Sequence, residues 1–89
     1  MSLNDIMFIE NLPKLDIHGL DRDTAKINIK QFVSENYELG NKQCVIVHGM
    51  GTGILKKVTA ETLNSIDEVL EHKTWFFNAG CTVFEVKDK

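Results

Sequence analysis

Proline is nearly absent from this chain, with Pro13 alone among 89 residues, and no Gly/Ser linker or low-complexity tract interrupts it. Nothing therefore divides the sequence into separate domains, and a chain of this length has material for one core. Cysteine is equally sparse. Cys44 and Cys81 each lie in an apolar run, far from the dense even-numbered framework that staples small secreted domains, and are expected to be reduced packing residues. Their separation also misses the close Cys/His spacing of a zinc site. No apolar run approaches the ~20 residues of a membrane span, and the start MSLNDIMFIENLPK lacks the basic region and long apolar stretch of a secretory signal. A membrane partner is thus not expected, and the default location is the cytoplasm. A basic excess is missing too. Ten Lys+Arg against 13 Asp+Glu give a net charge of -3, which excludes coating nucleic acid by bulk electrostatics and confines any such contact to a local patch.

What is present is the composition of a folding chain, 43% hydrophobic and 26% charged. Residues 1–13 form a lead-in arm, and one domain is expected over 14–87. Over LDIH, Leu15 and Ile17 alternate with Asp16 and His18 at the period of a short strand. GLDRDT then offers Asp21 or Asp23 as a helix cap, and Ala25, Ile29, Phe32 and Val33 lay one apolar face along a helix from about Arg22 to Leu39, ended by Gly40. The β-branched run Cys44–His48 reads as a buried parallel strand. After the interruption HGMGTG, Leu55, Val58, Thr62, Leu63 and Ile66 give a second helical stripe over about Gly53–Ser65. The segments from about Leu70 to Phe77 and from Cys81 to Val86 read as a closing hairpin, with Asn78-Ala79-Gly80 as its turn. Right-handed crossovers make the β-α-β-α-β-β order a two-layer α/β sandwich, with a four-stranded mixed sheet and both helices on one face.

His18 and His48 each close a strand in this arrangement. Both then lie at the carboxyl edge of the sheet, where open α/β sheets place their ligand crevice. Between His48 and the second helix, Gly49, Gly51 and Gly53 permit positive φ and close backbone approach, and the loop's amides meet the positive end of the helix dipole beside Lys56 and Lys57. A phosphate is the natural ligand, although the spacing is neither that of a P-loop nor that of the dinucleotide fingerprint. Asp16 and His18, two apart on a strand, share a face, so the carboxylate can orient the imidazole. Two histidines at one edge supply the two proton-handling groups that phosphodiester cleavage needs. Asp16, His18 and His48 could also be imagined around a metal ion, but no ligand signature accompanies them. His72 is expected at the surface. Of Trp75, Phe76 and Phe77, at least one must point inward; exposed members could stack bases, and core packing is expected for most of them.

The segments LDIHGL at Leu15–Leu20, VIVHGMGTGILKK at Val45–Lys57 and GCTVFEV at Gly80–Val86 resemble the Smr (small MutS-related) domain, whose marks are an LDxHG segment and an HGxGTG loop before the second helix. The resemblance implies a β-α-β-α-β-β sandwich similar to the C-terminal domain of bacterial translation initiation factor three. It further implies nucleic-acid binding and, in several members, endonuclease activity on DNA or RNA, with links to recombination control and stalled ribosomes. Carried onto this sequence, it makes Asp16 and His18 catalytic candidates, and nominates His48, Gly49, Gly51, Thr52 and Gly53 for activity or backbone contact. The scheme expected is one in which Gly49–Gly53 amides with Lys56 and Lys57 hold a phosphate while His18 and His48 move protons and Asp16 positions an imidazole, with a divalent ion such as Mg or Mn as a further option. The same residues fit a second reading, a non-catalytic module that binds nucleic acid or a ribosomal surface, possibly as the C-terminal part of a larger chain.

Overall fold

The computed structural model describes Leu3 and residues 9–89; the remainder of the expected N-terminal arm lies outside the described residues. Its elements are β1 (Lys14–Asp16), α1 (Arg22–Leu39), β2 (Gln43–Val47), α2 (Ile54–Asn64), β3 (Val69–Trp75) and β4 (Asn78–Val86). They form one mixed sheet in the order β1-β2-β4-β3, with β1 parallel to β2 and the other pairings antiparallel. The four-stranded mixed sheet and the element order are those expected.

Local chemistry explains the helix ends. Asp21 caps α1 by accepting from the amide of Thr24, and the Gly40 amide closes the far end on Asn36 and Tyr37. The α1 stripe buries Ala25, Ile29 and Val33, and Phe32 leans edge-on against Phe84 with ring centroids 6.1 Å apart. From α2, Val58 and Leu63 join them over Cys44 and Ile46 of β2 and Phe84 and Val86 of β4. Each large side chain withdrawn from water here contributes about 1.5–3 kcal/mol.

One buried group on α2 works against this core. The Thr62 hydroxyl has no hydrogen-bond partner among the described residues, although the residue is only 4% exposed. Because an unsatisfied buried hydroxyl costs stability, Thr62→Val is expected to stabilise the domain by about 1 kcal/mol, a rise in melting temperature of roughly 4–8 °C. Differential scanning calorimetry checks it, and an unchanged or lower midpoint would refute the account.

The opposite face of the sheet has its own apolar cluster. Val45, Cys81 and Val83 are covered there by Leu3 and Ile9, with Leu12, Val47 and Trp75 packed around them. Strand alternation directs Cys44 and Ile46 to the helices and Val45 to this second cluster. Both cysteines are buried and free, and burial pushes the Cys44 thiol up to about 12. Among the described residues, no helix is long and apolar enough to cross a membrane.

Four local expectations are corrected. β1 ends at Asp16, so His18 sits in the following turn rather than on the strand. Asn78-Ala79-Gly80 is not the hairpin turn but the start of β4, and Phe76-Phe77 makes the turn. The physical reason is pairing: the Gly80 carbonyl accepts from the amides of both His48 and Gly49, which draws these three residues into the sheet. Core packing is therefore not the main use of the three aromatics, since Trp75 alone joins a cluster while Phe76 and Phe77 are exposed. His72, expected at the surface, is half-buried, with Nε2 2.6 Å from Asn64 Oδ1.

Candidate functional site

Where β1 and β2 end, their following turns meet. His18, Gly19, the loop from His48 to Gly53, and Lys56 line one hollow of about 390 Å³. The contact is close: a Cβ placed on Gly49, whose φ is +81°, would stand 3.6 Å from His18 Cβ. The two segments singled out from the sequence thus lie side by side, with room at Gly49 for little more than a methyl group.

Asp16 holds His18 from behind. Its Oδ1 lies 2.5 Å from His18 Nδ1 and also accepts from the His18 amide at 3.0 Å. The side-chain bond from His18, reinforced by the backbone bond, keeps the Asp16 carboxyl below its usual range and hence ionised near neutral pH. An ionised carboxylate can only accept, so Nδ1 carries the proton and Nε2 is left for exchange with a ligand. Both side chains are largely exposed, so the pair is open to a large substrate.

His48 is placed differently. It is only 4% exposed, with Nδ1 3.0 Å from the Gly49 carbonyl and Nε2 2.8 Å from Thr82 Oγ1. A carbonyl only accepts, so Nδ1–H donates to it and the neutral ring takes the Thr82 hydroxyl proton at Nε2. Of the two histidines expected to move protons, then, only His18 has a nitrogen not already engaged. Burial lowers the His48 pKa, the Gly49 bond opposes that shift, and the charge of Lys56 adds to it. His72 shifts the same way on burial. Such groups bind protons less well folded than unfolded, so stability is full above the unfolded value of about 6.5 and declines as pH falls below it. The melting temperature is expected to drop between about pH 7.5 and 5.5, and to drop less in His48→Gln. An equally steep fall in that variant would dismiss His48 as a source.

The glycine loop presents donors. α2 begins at Ile54, whose amide donates to the Thr52 hydroxyl at 3.4 Å; its cap residue Gly53 has no side chain, and no acidic residue stands in its first turn. α1, by contrast, spends its first-turn donors on Asp21. The amides of the loop mouth and the positive end of α2 therefore favour an anion. Two expected contributors are placed elsewhere. The Gly49 amide donates to the Gly80 carbonyl at 3.0 Å, which leaves Gly51, Thr52 and Gly53 as the available part of the loop. Lys57 lines the adjoining hollow with Arg22, Lys26 and Glu61, while Ile54 borders both hollows. Lys56, Lys57, Arg22 and Lys26 thus line two adjoining hollows by the N-terminal ends of α1 and α2, with Glu61 among them and Asp21 and Asp23 at the start of α1.

Two positioning residues escaped the sequence reading. Thr82 fixes the His48 ring, and Gly80 holds the root of the loop; a Cβ on Gly80 would come within 3.2 Å of the Gly49 carbonyl carbon. Only the β2–β4 register, which sets Val47 opposite Cys81, brings them there. The donor set does not make a metal centre. Among the described residues no three His, Cys, Asp or Glu side chains converge, and both His48 nitrogens are engaged.

A family model described as "Smr domain" matches residues 15–83. The chain is 32% identical over 76 residues to the endonuclease MutS2 of Clostridium botulinum (strain Loch Maree / Type A3), an alignment covering 82% of this chain and 10% of that protein. To the endonuclease MutS2 of Clostridium tetani it is 31% identical over 77 residues, covering 83% of this chain and 10% of that one. It thus spans about a tenth of the length of these relatives. Among solved structures, the Smr domain of Thermus thermophilus MutS2 superposes with a TM-score of 0.82 at 25% identity, covering 85% of this chain and 99% of that domain. YdaL, a stand-alone small MutS-related protein from Escherichia coli, superposes with a TM-score of 0.80 over 84% of this chain and 64% of its own, a likeness of fold alone at 17% identity.

Proposed function

The chain belongs to the Smr domain family, and on that ground we propose that it binds nucleic acid and hydrolyses phosphodiester bonds, nicking structured DNA or cutting RNA. The observation that carries this reading is the meeting, in one hollow, of a carboxylate-backed histidine and a glycine loop that opens onto the positive end of a helix. The Gly51–Gly53 amides and Lys56 hold the non-bridging oxygens of the scissile phosphate and stabilise the charge that grows on them. Neighbouring phosphates follow the path of Arg22, Lys26 and Lys57. Nε2 of His18 takes the proton of the attacking water as its oxygen bonds to phosphorus. As the opposite P–O bond breaks, the leaving oxygen takes a proton from solvent water and the imidazolium gives its own back to solvent, so water is divided between the two ends. Asp16 steadies the imidazolium between the two transfers, and His48 shapes the loop.

The test is to incubate the purified chain with supercoiled plasmid and with a structured RNA, in Mg²⁺, in Mn²⁺ and in chelator, following cleavage and binding together. Cutting that persists in chelator supports proton transfer by His18 without a metal. Binding with no cutting under any condition would overturn the hydrolase reading in favour of a recognition module, whose partner could then be a nucleic acid or a ribosomal surface.

A further inference from the structure

The tip of the β3–β4 hairpin carries two phenylalanines that the fold does not call for. Phe76 is 86% exposed and Phe77 58%, in a two-residue turn whose backbone, with positive φ at neither residue, asks for no particular side chain. Their rings are nevertheless held. Phe76 meets Phe77 edge-on with centroids 5.1 Å apart, and Phe77 meets Trp75 at 5.4 Å, where Trp75 is packed into the second cluster. A chain of edge-to-face contacts thus anchors two rings that face solvent.

Their location connects them to the site. β4 runs antiparallel to β2, so the hairpin tip projects from the same sheet edge as the glycine loop, and Gly80 bonds directly to the amides of His48 and Gly49. Phe77 precedes Gly80 by three residues of extended chain, about 10 Å, or about three stacked bases. Charge agrees. The segment from His72 to Phe84 holds none of the chain's 13 acidic residues.

We propose that Phe76 and Phe77 form a stacking platform for an unpaired base of the strand whose phosphate lies in the glycine loop. The substrate is then single-stranded or locally unpaired at the site. This rests on the nucleic-acid reading above and adds the class of substrate. Base faces are covered in a continuous duplex and open in single strands, loops and bulges, and an aromatic ring accepts any of them. A protein partner is the poorer occupant: two phenylalanines bury at most about 400–500 Å², well under the ~1,000 Å² of a stable interface.

The experiment measures fluorescence anisotropy of a labelled single-stranded oligonucleotide and of a duplex of the same sequence, with cleavage followed on the same samples. The proteins are wild type and the paired variants Phe76→Ala/Phe77→Ala, Phe76→Leu/Phe77→Leu and Phe76→Tyr/Phe77→Tyr. The alanine and leucine pairs are expected to lose about tenfold or more in single-strand affinity, with the tyrosine pair close to wild type and duplex binding unchanged. In wild type, the single strand should also quench the fluorescence of Trp75, the one tryptophan of the chain. Leucine binding as well as phenylalanine, equal losses on both ligands, or a wild-type dimer in sedimentation that the alanine pair dissolves would each overturn the proposal. If wild type binds neither oligonucleotide, the nucleic-acid reading falls and takes this one with it. If wild type binds and cuts while all variants match it, only the stacking platform is lost.

Discussion

Replacing His18 by alanine is expected to slow phosphodiester cleavage by about 10²–10⁴-fold, the range typical of a positioned proton-transfer group. Binding should stay within a few-fold of wild type, because the phosphate is held by loop amides and Lys56 rather than by the imidazole. The fold should also be unaffected, since the His18 side chain is largely exposed and, among the described residues, its hydrogen bond is to Asp16. Asp16→Asn should give a loss of comparable size: the geometry is kept, but the amide can donate to Nδ1 and hold the wrong tautomer, and it no longer balances the imidazolium. His48 supplies the contrast. With its nitrogens committed to Gly49 and Thr82, His48→Ala should lower the melting temperature and weaken binding as well as cleavage. Single-turnover rates and anisotropy on the same preparations separate these patterns. A His18→Ala variant cutting at the wild-type rate, or a His48→Ala variant that keeps full stability and affinity yet fails to cut, would reverse the roles assigned to the two histidines.

Gly80→Ala is expected to reduce cleavage about 100-fold although residue 80 touches no substrate. The new Cβ would stand 3.1 Å from Asn78 Oδ1, 3.2 Å from the Gly49 carbonyl carbon and 3.3 Å from Gly49 Cα, all tighter than ordinary contact. Asn78 is tied to the Gly80 amide, and Gly49 is tied to the Gly80 carbonyl, so neither neighbour yields without moving the root of the loop. Overpacking of this kind costs about 1–3 kcal/mol, and a displacement of about 1 Å in a positioned site costs ~10²-fold in rate. Ala79→Ser, at an exposed position beside Gly80 on the same strand, serves as the control. Equal, small effects of the two substitutions would show that the loop tolerates displacement at its root.

Much of this was legible from local pattern. The bounds expected for α1 are those observed, because a cap at Asp21, a stripe at helical spacing and a stop at Gly40 are each set by residues within a turn or so of one another. The meeting of His18 with the glycine loop followed from two parallel strands ending at one edge. The hairpin misled because Asn78-Ala79-Gly80 has turn composition, yet its backbone groups are claimed by a neighbouring strand.

The sequence by itself determined the order of elements, the helix ends, the face each helix buries and the edge at which the candidate site forms. Short-range periodicity and capping encode all of these. The tertiary structure decided which histidine keeps a free nitrogen, which loop amides remain to meet an anion, and that Leu3 and Ile9 close the second face of the sheet. Those outcomes hang on partners far along the chain, such as Thr82 for His48 and Gly80 for Gly49. Such pairs meet only when β2 and β4 adopt one register, and a hydrogen bond formed across that register leaves no periodic trace in the sequence.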